Sequence, residues 1–295
     1  MTNHSLRIAL IGFGEAGGIL GHDLAAQGLE VRAYDRLGEQ LRAKAAASGV
    51  ELCATAAAAV AGTDLVIGAV TAGSALGVAE EVATLMTPEQ VFMDINSVAP
   101  NTKRAACRAV NAAGGRYLDA AVMAPVPPQR LQTPILLGGE PAQQVAAWLT
   151  PLGFNVRVVA DDIGVASAIK MCRSVMIKGL EALTTECLAT ARQYGAEDAV
   201  LASLHKSFPS MGWDAELPHY LVSRVAEHGR RRAEEMEEVA KTAADVGVTP
   251  HMSQAIVATQ RGLVERMAQQ GLTYADTLPF DWTRLVDTLE ATRRG

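Results

Sequence analysis

The chain has 295 residues, 49% of them hydrophobic and 20% charged. That composition suits a folded chain with a sizeable core and excludes a disordered polar one. A net charge of −6 argues against nucleic acid or an anionic membrane as the main partner. The four cysteines are scattered with no Cys-x-x-Cys or Cys/His spacing, so neither a disulfide framework nor a metal is expected.

The opening "MTNHSLR" is polar and leads directly into a strand, so no secretory signal is expected and a cytoplasmic location is the simple reading. The first strand, "RIALIGFG", runs into Gly12-x-Gly14-x-x-Gly17, where a helix opens over 17–27. Gly12 allows a tight turn, Gly14 lets a pyrophosphate approach the backbone, and Gly17 lets helix and strand pack closely. Phe13, Glu15 and Ala16 complete the loop, and the helix start offers free N–H groups and a positive dipole end to phosphates. The next strand, "EVRAYD", ends on Asp35, 18 residues after Gly17. A carboxylate there accepts hydrogen bonds from both hydroxyls of an adenosine ribose and repels a 2′-phosphate, which favours NAD. Arg36 beside it can stack on adenine or meet a 2′-phosphate, so NADP remains open.

Helices are expected at 38–47, in the Ala-rich "ATAAAAVAG", at 74–86 and at 100–113. Strands are expected at "DLVIGAV", "VFMDIN", "GRYLDAAV", "PILLGG" and "VRVVA", several apolar on successive residues as in parallel strands covered on both faces. Residues 53–72 are apolar on average, but Thr55, Gly62, Thr63 and Asp64 interrupt them, so no membrane span is expected. The alternation predicts an α/β domain over 1–162, a Rossmann-type doubly wound parallel sheet.

After Asp162 the strand signals stop, and an all-helical domain over 163–295 is expected to bind substrate and dimerise. One long helix covers 164–195 and closes at Gly195. Shorter helices follow at 197–207, 217–227, 230–246, 250–270 and 282–293, with Thr249 before Pro250 and Asp281 as caps. Lys170 lies among apolar residues and shares a helix face with Ser174 and either Ile177 or Lys178, at i, i+4 and i+7 or i+8; with Arg173 and Lys178 it makes a polar edge. A lysine there can exchange the hydroxyl proton that must move during hydride transfer, while Arg173, Ser174 and Lys178 can contact a substrate anion. The same spacing also describes a solvated stripe on a surface helix. In "EHGRRRAEEMEEVAK", His228 and Arg231 are candidates for an anion clamp, and Arg231–Glu235 is equally an i, i+4 pair. The segment 207–220 gathers Phe208, Trp213, His219 and Tyr220, either to close over a substrate or to pack on the helices.

Four segments in order resemble the β-hydroxyacid dehydrogenase family, relatives of 3-hydroxyisobutyrate and 6-phosphogluconate dehydrogenase. They are the glycine loop through Arg36, "DINSVAPNT" at 94–102, "LDAAVMAPVP" at 118–127 and "GVASAIKMCRS" at 164–174. The resemblance implies Lys170 as general acid/base, Asn96 and Ser97 as the polar pair beside the nicotinamide, and Val70, Thr71 and Asn96 as further cofactor contacts. The chain departs from the family where Met123-Ala124-Pro125 replaces the carboxylate-binding Ser-Gly-Gly turn. It departs again where Ser174 replaces an asparagine. Met123 and the aromatic loop would suit a substrate with an apolar part. The expected activity is NAD(P)-dependent hydride transfer on a 3-hydroxy acid or related carbonyl compound; an imine reductase and a non-catalytic NAD(H)-binding protein are the alternatives. The apolar face of the long helix leads us to expect a homodimer.

Overall fold

The computed structural model describes residues 6–291. Residues 1–5, on which the expected absence of a leader partly rests, and the expected helix end at 292–293 lie outside the described residues. Contacts divide the chain into two compact units, Met1–Met171 and Cys172–Gly295. The expected boundary at 162/163 marks the end of the strands, whereas the contacts divide inside the long helix that follows.

The first unit is one eight-stranded sheet: β1 (Ile8–Ile11), β2 (Val31–Tyr34), β3 (Glu51–Leu52), β4 (Leu65–Gly68), β5 (Val91–Asp94), β6 (Arg116–Val122), β7 (Ile135–Gly138) and β8 (Val156–Ala160). Around it lie α1 (Glu15–Ala26), α2 (Gly38–Ala47), α3 (Ala56–Val60), α4 (Ala75–Ala83), α5 (Pro100–Ala112), α6 (Val126–Gln129) and α7 (Ala142–Leu149). The spatial order is β3-β2-β1-β4-β5-β6-β7-β8. Six strands from β3 to β6 run parallel, with the order reversing between β1 and β4. Burial on both faces explains the unbroken apolar runs: Ile8 and Leu10 of β1 enter one core cluster, Ala9 and Ile11 the other.

Two expectations for the sheet change. It is not wholly parallel, because β7 returns antiparallel to β6. Residues 123–134 join them, about the minimum length for a parallel crossover, and α6 with its four residues is too short to span the sheet. The two-residue edge strand β3 escapes prediction because it is too short to show a period.

Helix α8 (Val165–Tyr194) leaves the sheet and continues into the second unit. It closes at Gly195, where the Ala196 N–H returns to the Ala191 carbonyl. The second unit adds α9 (Glu197–Ser207), α10 (Leu217–Ala244), α11 (His251–Gln269) and α12 (Trp282–Ala291). The two helices expected at 217–227 and 230–246 are the single α10, because Gly229 does not break it. A Cβ at Gly229 would lie 2.3 Å from the Gln260 carbonyl oxygen, so this glycine serves the close approach of α10 to α11. No side chain caps α11, contrary to the role expected of Thr249. Asp281 does cap α12, its Oδ1 accepting the Thr283 N–H at 2.7 Å.

Apolar packing in this unit gathers Leu188, Val222, Val225, Leu263, Trp282 and Leu285. Beside it runs a charged seam. Lys178 Nζ pairs with Glu235 at 2.9 Å, Arg232 pairs with the buried Glu181 at 2.5 Å, and Gln260 donates to Glu181 at 3.1 Å. Burial raises the Glu181 carboxyl and lowers the Arg232 guanidinium, so loss of water outweighs mutual attraction in both shifts. Along α8, Met176, Ile177 and Leu183 are exposed, and they lie in the stretch 174–190 whose apolar character raises the homodimer expectation.

His228 lies against this seam. Burial, then Arg224, hold its imidazole below the ordinary value, with Glu227 opposing and Arg231 and Arg232 adding to the depression. The unfolded chain therefore takes up the proton first, and stability falls as pH drops below about 6.5. We expect His228→Gln to lose less unfolding free energy than the parent between about pH 7.5 and about pH 5 in urea titrations. An equal loss in both proteins goes against this assignment.

Candidate active site

The site is built at the carboxyl edge of the parallel strands, around the point where strand order reverses. Gly12 ends β1 with φ +101°, and a Cβ there would lie 2.2 Å from the Ala69 carbonyl oxygen. A Cβ at Gly17 would lie 2.2 Å from the Gly12 carbonyl oxygen. These two glycines are thus required by the protein itself. Gly14 is different: a Cβ there meets nothing within 4 Å, and no side chain caps the start of α1. The open space and uncapped helix start fit a dinucleotide pyrophosphate.

Asp35, at the end of β2, is half-buried and holds the loop from below. Its Oδ2 accepts the Phe13 N–H at 2.8 Å and its Oδ1 accepts the Leu37 N–H at 2.9 Å. The Phe13 side chain is fully buried in the core, so only its backbone belongs to the loop surface. Glu15 and Arg36 are exposed and Ala16 is half-buried. Sequence reasoning missed Lys44 of α2. Its Nζ donates to the Gly14 carbonyl at 2.5 Å and the Phe13 carbonyl at 3.2 Å, and lies 5.2 Å from the Phe13 ring centre. A Cβ on Gly18 would lie 2.4 Å from that ammonium, so a second glycine makes room for it. Nothing in the spacing of an exposed lysine on α2 signals this contact.

Across the reversal point, Asn96 Oδ1 accepts the Val70 N–H at 2.7 Å. Because the facing group is a donor, the amide orientation is determined and Nδ2 points elsewhere. That Nδ2 is buried with no hydrogen-bond partner among the described residues, a donor that a bound ligand would satisfy. Thr71 is exposed and donates to Ser74 Oγ at 3.3 Å. Next to Asn96, Ser97 Oγ accepts a hydrogen bond of 2.5 Å from Lys170 Nζ, and Lys170 is half-buried. Ser97 and Lys170, 73 positions apart in the chain, therefore meet beside Asn96.

Met123 follows β6. Its N–H donates to the Pro134 carbonyl at 2.8 Å, and its side chain packs against the buried cluster of Ala121, Leu136 and Ala166. Pro125 has no N–H, so this turn presents fewer donors than the family's Ser-Gly-Gly. The remaining candidates lie in the second unit. Lys178 donates to Ser174 Oγ at 3.2 Å and pairs with Glu235, while Arg231 forms the i, i+4 pair with Glu235 at 2.7 Å. His228 lies 3.3 Å from Glu227, and Arg173 is exposed.

With this geometry in place, comparison with known proteins gives a family. The NAD binding domain of 6-phosphogluconate dehydrogenase matches residues 7–158. The chain belongs to this family, the β-hydroxyacid dehydrogenases. A domain of unknown function (DUF1932) matches residues 191–263, within the helical unit of this family member. A conserved hypothetical protein from Sinorhizobium meliloti 1021 is 37% identical, with a TM-score of 0.79 and 97% of each chain covered. The 3-hydroxyisobutyrate dehydrogenase of Pseudomonas aeruginosa is 28% identical over 71% of this chain and 72% of its own length. The Mycobacterium tuberculosis 3-hydroxyisobutyrate dehydrogenase, 19% identical with a TM-score of 0.74, covers 97% of this chain and 99% of its own. An imine reductase from Streptomyces aurantiacus, 20% identical with a TM-score of 0.56, covers 92% and 98%. These last two share the fold. No helix among the described residues is long and apolar enough to cross a membrane.

Gly12 and Gly14 make separable predictions. Gly14→Val should change unfolding free energy by no more than about 1 kcal/mol. The same change should weaken NADH binding, followed by fluorescence, by more than about tenfold. Gly12→Ala should lose both, because strain and overlap there are internal. Tight NADH binding by Gly14→Val would remove the pyrophosphate from this loop.

Proposed function

We propose that the chain transfers hydride between a nicotinamide dinucleotide and the alcohol carbon of a 3-hydroxy acid or related carbonyl compound, with Lys170 moving the hydroxyl proton. The observation that carries this is the Lys170–Ser97 contact beside the unsatisfied Asn96 amide, at the edge where the glycine loop also opens. When bound, the dinucleotide supplies the hydride acceptor or donor. Gly12, Gly14, Gly17 and the start of α1 would hold its phosphates; Asp35, Val70, Thr71 and Asn96 would hold the rest.

Ser97 holds the Lys170 ammonium in place, and a substrate hydroxyl would share that lysine. In oxidation a neutral Lys170 takes the hydroxyl proton as the hydride departs; in reduction the ammonium returns it. Asp35, tied by two backbone N–H groups, is a fixed negative charge at the ribose end, which supports NAD over NADP. The altered turn at Met123-Ala124-Pro125 supports a substrate whose carboxylate is held elsewhere or whose reacting end is apolar. It also favours, mildly, a second reading as an imine reductase, against which Lys170 stands.

A panel of 3-hydroxy acids, hydroxyamino acids, aldehydes, ketones and cyclic imines, followed by nicotinamide absorbance with both cofactors, separates these functions. We expect turnover of an alcohol or carbonyl compound, and a drop of about 10²–10⁴-fold in kcat for Lys170→Ala with NADH binding retained. Turnover of imines alone establishes the second reading, and no turnover with intact NADH binding leaves a dinucleotide-binding protein. Asp35→Ala should move cofactor preference toward NADP in kcat/KM; a parent enzyme that already prefers NADP removes the role given to Asp35.

A further inference from the structure

The proposed chemistry makes no use of Lys103 on α5, yet this lysine is fully buried between two fully buried carboxylates. Its Nζ donates to the Asp94 carbonyl at 2.6 Å and lies 3.1 Å from Asp94 Oδ1 and 3.6 Å from Asp119 Oδ1. Each carboxylate shapes one half of the candidate site. Asp94 ends β5; its Oδ1 accepts the Asn96 N–H at 2.9 Å, and its Oδ2 accepts the Tyr117 hydroxyl at 2.6 Å. Burial, then Asp94, push that hydroxyl well above its ordinary range, so it remains a donor. Asp94 thus sets the turn that carries Asn96 and Ser97. Asp119, in β6, caps α8: its Oδ2 accepts the Gly164 N–H at 3.1 Å, the Ser167 N–H at 3.1 Å and the Ser167 hydroxyl at 3.0 Å. Lys170 follows one turn later on the same helix. The other oxygen, Asp119 Oδ1, has no hydrogen-bond partner among the described residues, and Lys103 is the cation that faces it.

We propose that Lys103 is a positioning residue that holds Lys170 against Ser97, by tying the carboxylate that shapes the Asn96–Ser97 turn to the carboxylate that caps α8. A lysine suits this place because one ammonium carries three donors and a single charge against two buried anions. Neither Asp94 nor Asp119 alone spans the two segments; the ammonium between them makes one body of both. That Lys170 is the working group rests on the function proposed above, whereas the tie itself does not.

The test is competitive acetylation of the full chain with acetic anhydride across a pH series, with each lysine read by peptide mass spectrometry. Lys44 and Lys206 serve as internal references. We expect Lys103→Met to raise labelling of Lys170 by about fivefold or more and to move the pH of half-labelling, while both references keep their rates. Ser97→Ala should do the same, and the double variant should add nothing further, because both act through one contact. Labelling of Lys170 at the parent rate in Lys103→Met overturns the proposal, as does a common rise at all lysines. Should Lys103→Met fail to fold, Tyr117→Phe removes one donor from Asp94 and is judged alike, with an expected rise of about twofold. If labelling behaves as expected but no substrate in the panel turns over, the tie stands and the assigned function falls.

Discussion

The helix that carries Lys170 begins from one buried carboxylate. Asp119 gathers two backbone N–H groups and a hydroxyl from the first turn of α8 and supplies the acceptor that an isolated helix start lacks. A carboxylate with no exposure is costly unless its charge is met, and a second one, Asp94, lies in the same interior. Lys103 faces both, and Tyr117 and the Asn96 N–H complete the set around Asp94. The polar interior of the sheet unit is thereby also the frame of the edge that carries the candidate site.

That edge has a consistent physical logic. Parallel strands all deliver their carboxyl ends to one side, so loops remote in sequence become neighbours there. The glycine loop after β1, the Val70–Thr71 segment after β4 and the Asn96–Ser97 turn after β5 arrive in this way. Hydrogen bonds then lock them in pairs: Asp35 to Phe13, Lys44 to Gly14, Asn96 to Val70 and Lys170 to Ser97. Each lock uses a side chain from one segment on a partner from another, which aligns the edge without any extra element. The Asn96 Nδ2 is left without a partner among the described residues, and the room at Gly14 is left open.

The helical unit follows different rules. Its long helices need no caps of high quality, since α10 and α11 are held by packing along their length. Gly229 illustrates the point: a residue that weakens an isolated helix is retained because it lets two helices touch. The charged seam of Lys178, Glu181, Arg232 and Glu235 is closed within the unit. An arginine-rich stretch that resembles an anion clamp in sequence thus has internal acids for partners at Arg231 and Arg232.

The sequence by itself determined what depends on local geometry. The glycine spacing, the acid at the end of β2, the successive apolar strands, the stop of α8 at Gly195 and the Asp281 cap all act within a few residues, so their signatures survive in one dimension. Lys170 was singled out by its place in the ordered segments that resemble the family, since its helix spacing alone also describes a solvated stripe. Only the tertiary structure decided the antiparallel return of β7, the continuity of α10 through Gly229, the reach of Lys44 onto the glycine loop and the burial of Lys103. Each of these depends on a partner far away in the chain, Gln260 for Gly229 and Asp119 for Lys103, and no local pattern records how near a distant residue will come once the sheet has closed around it.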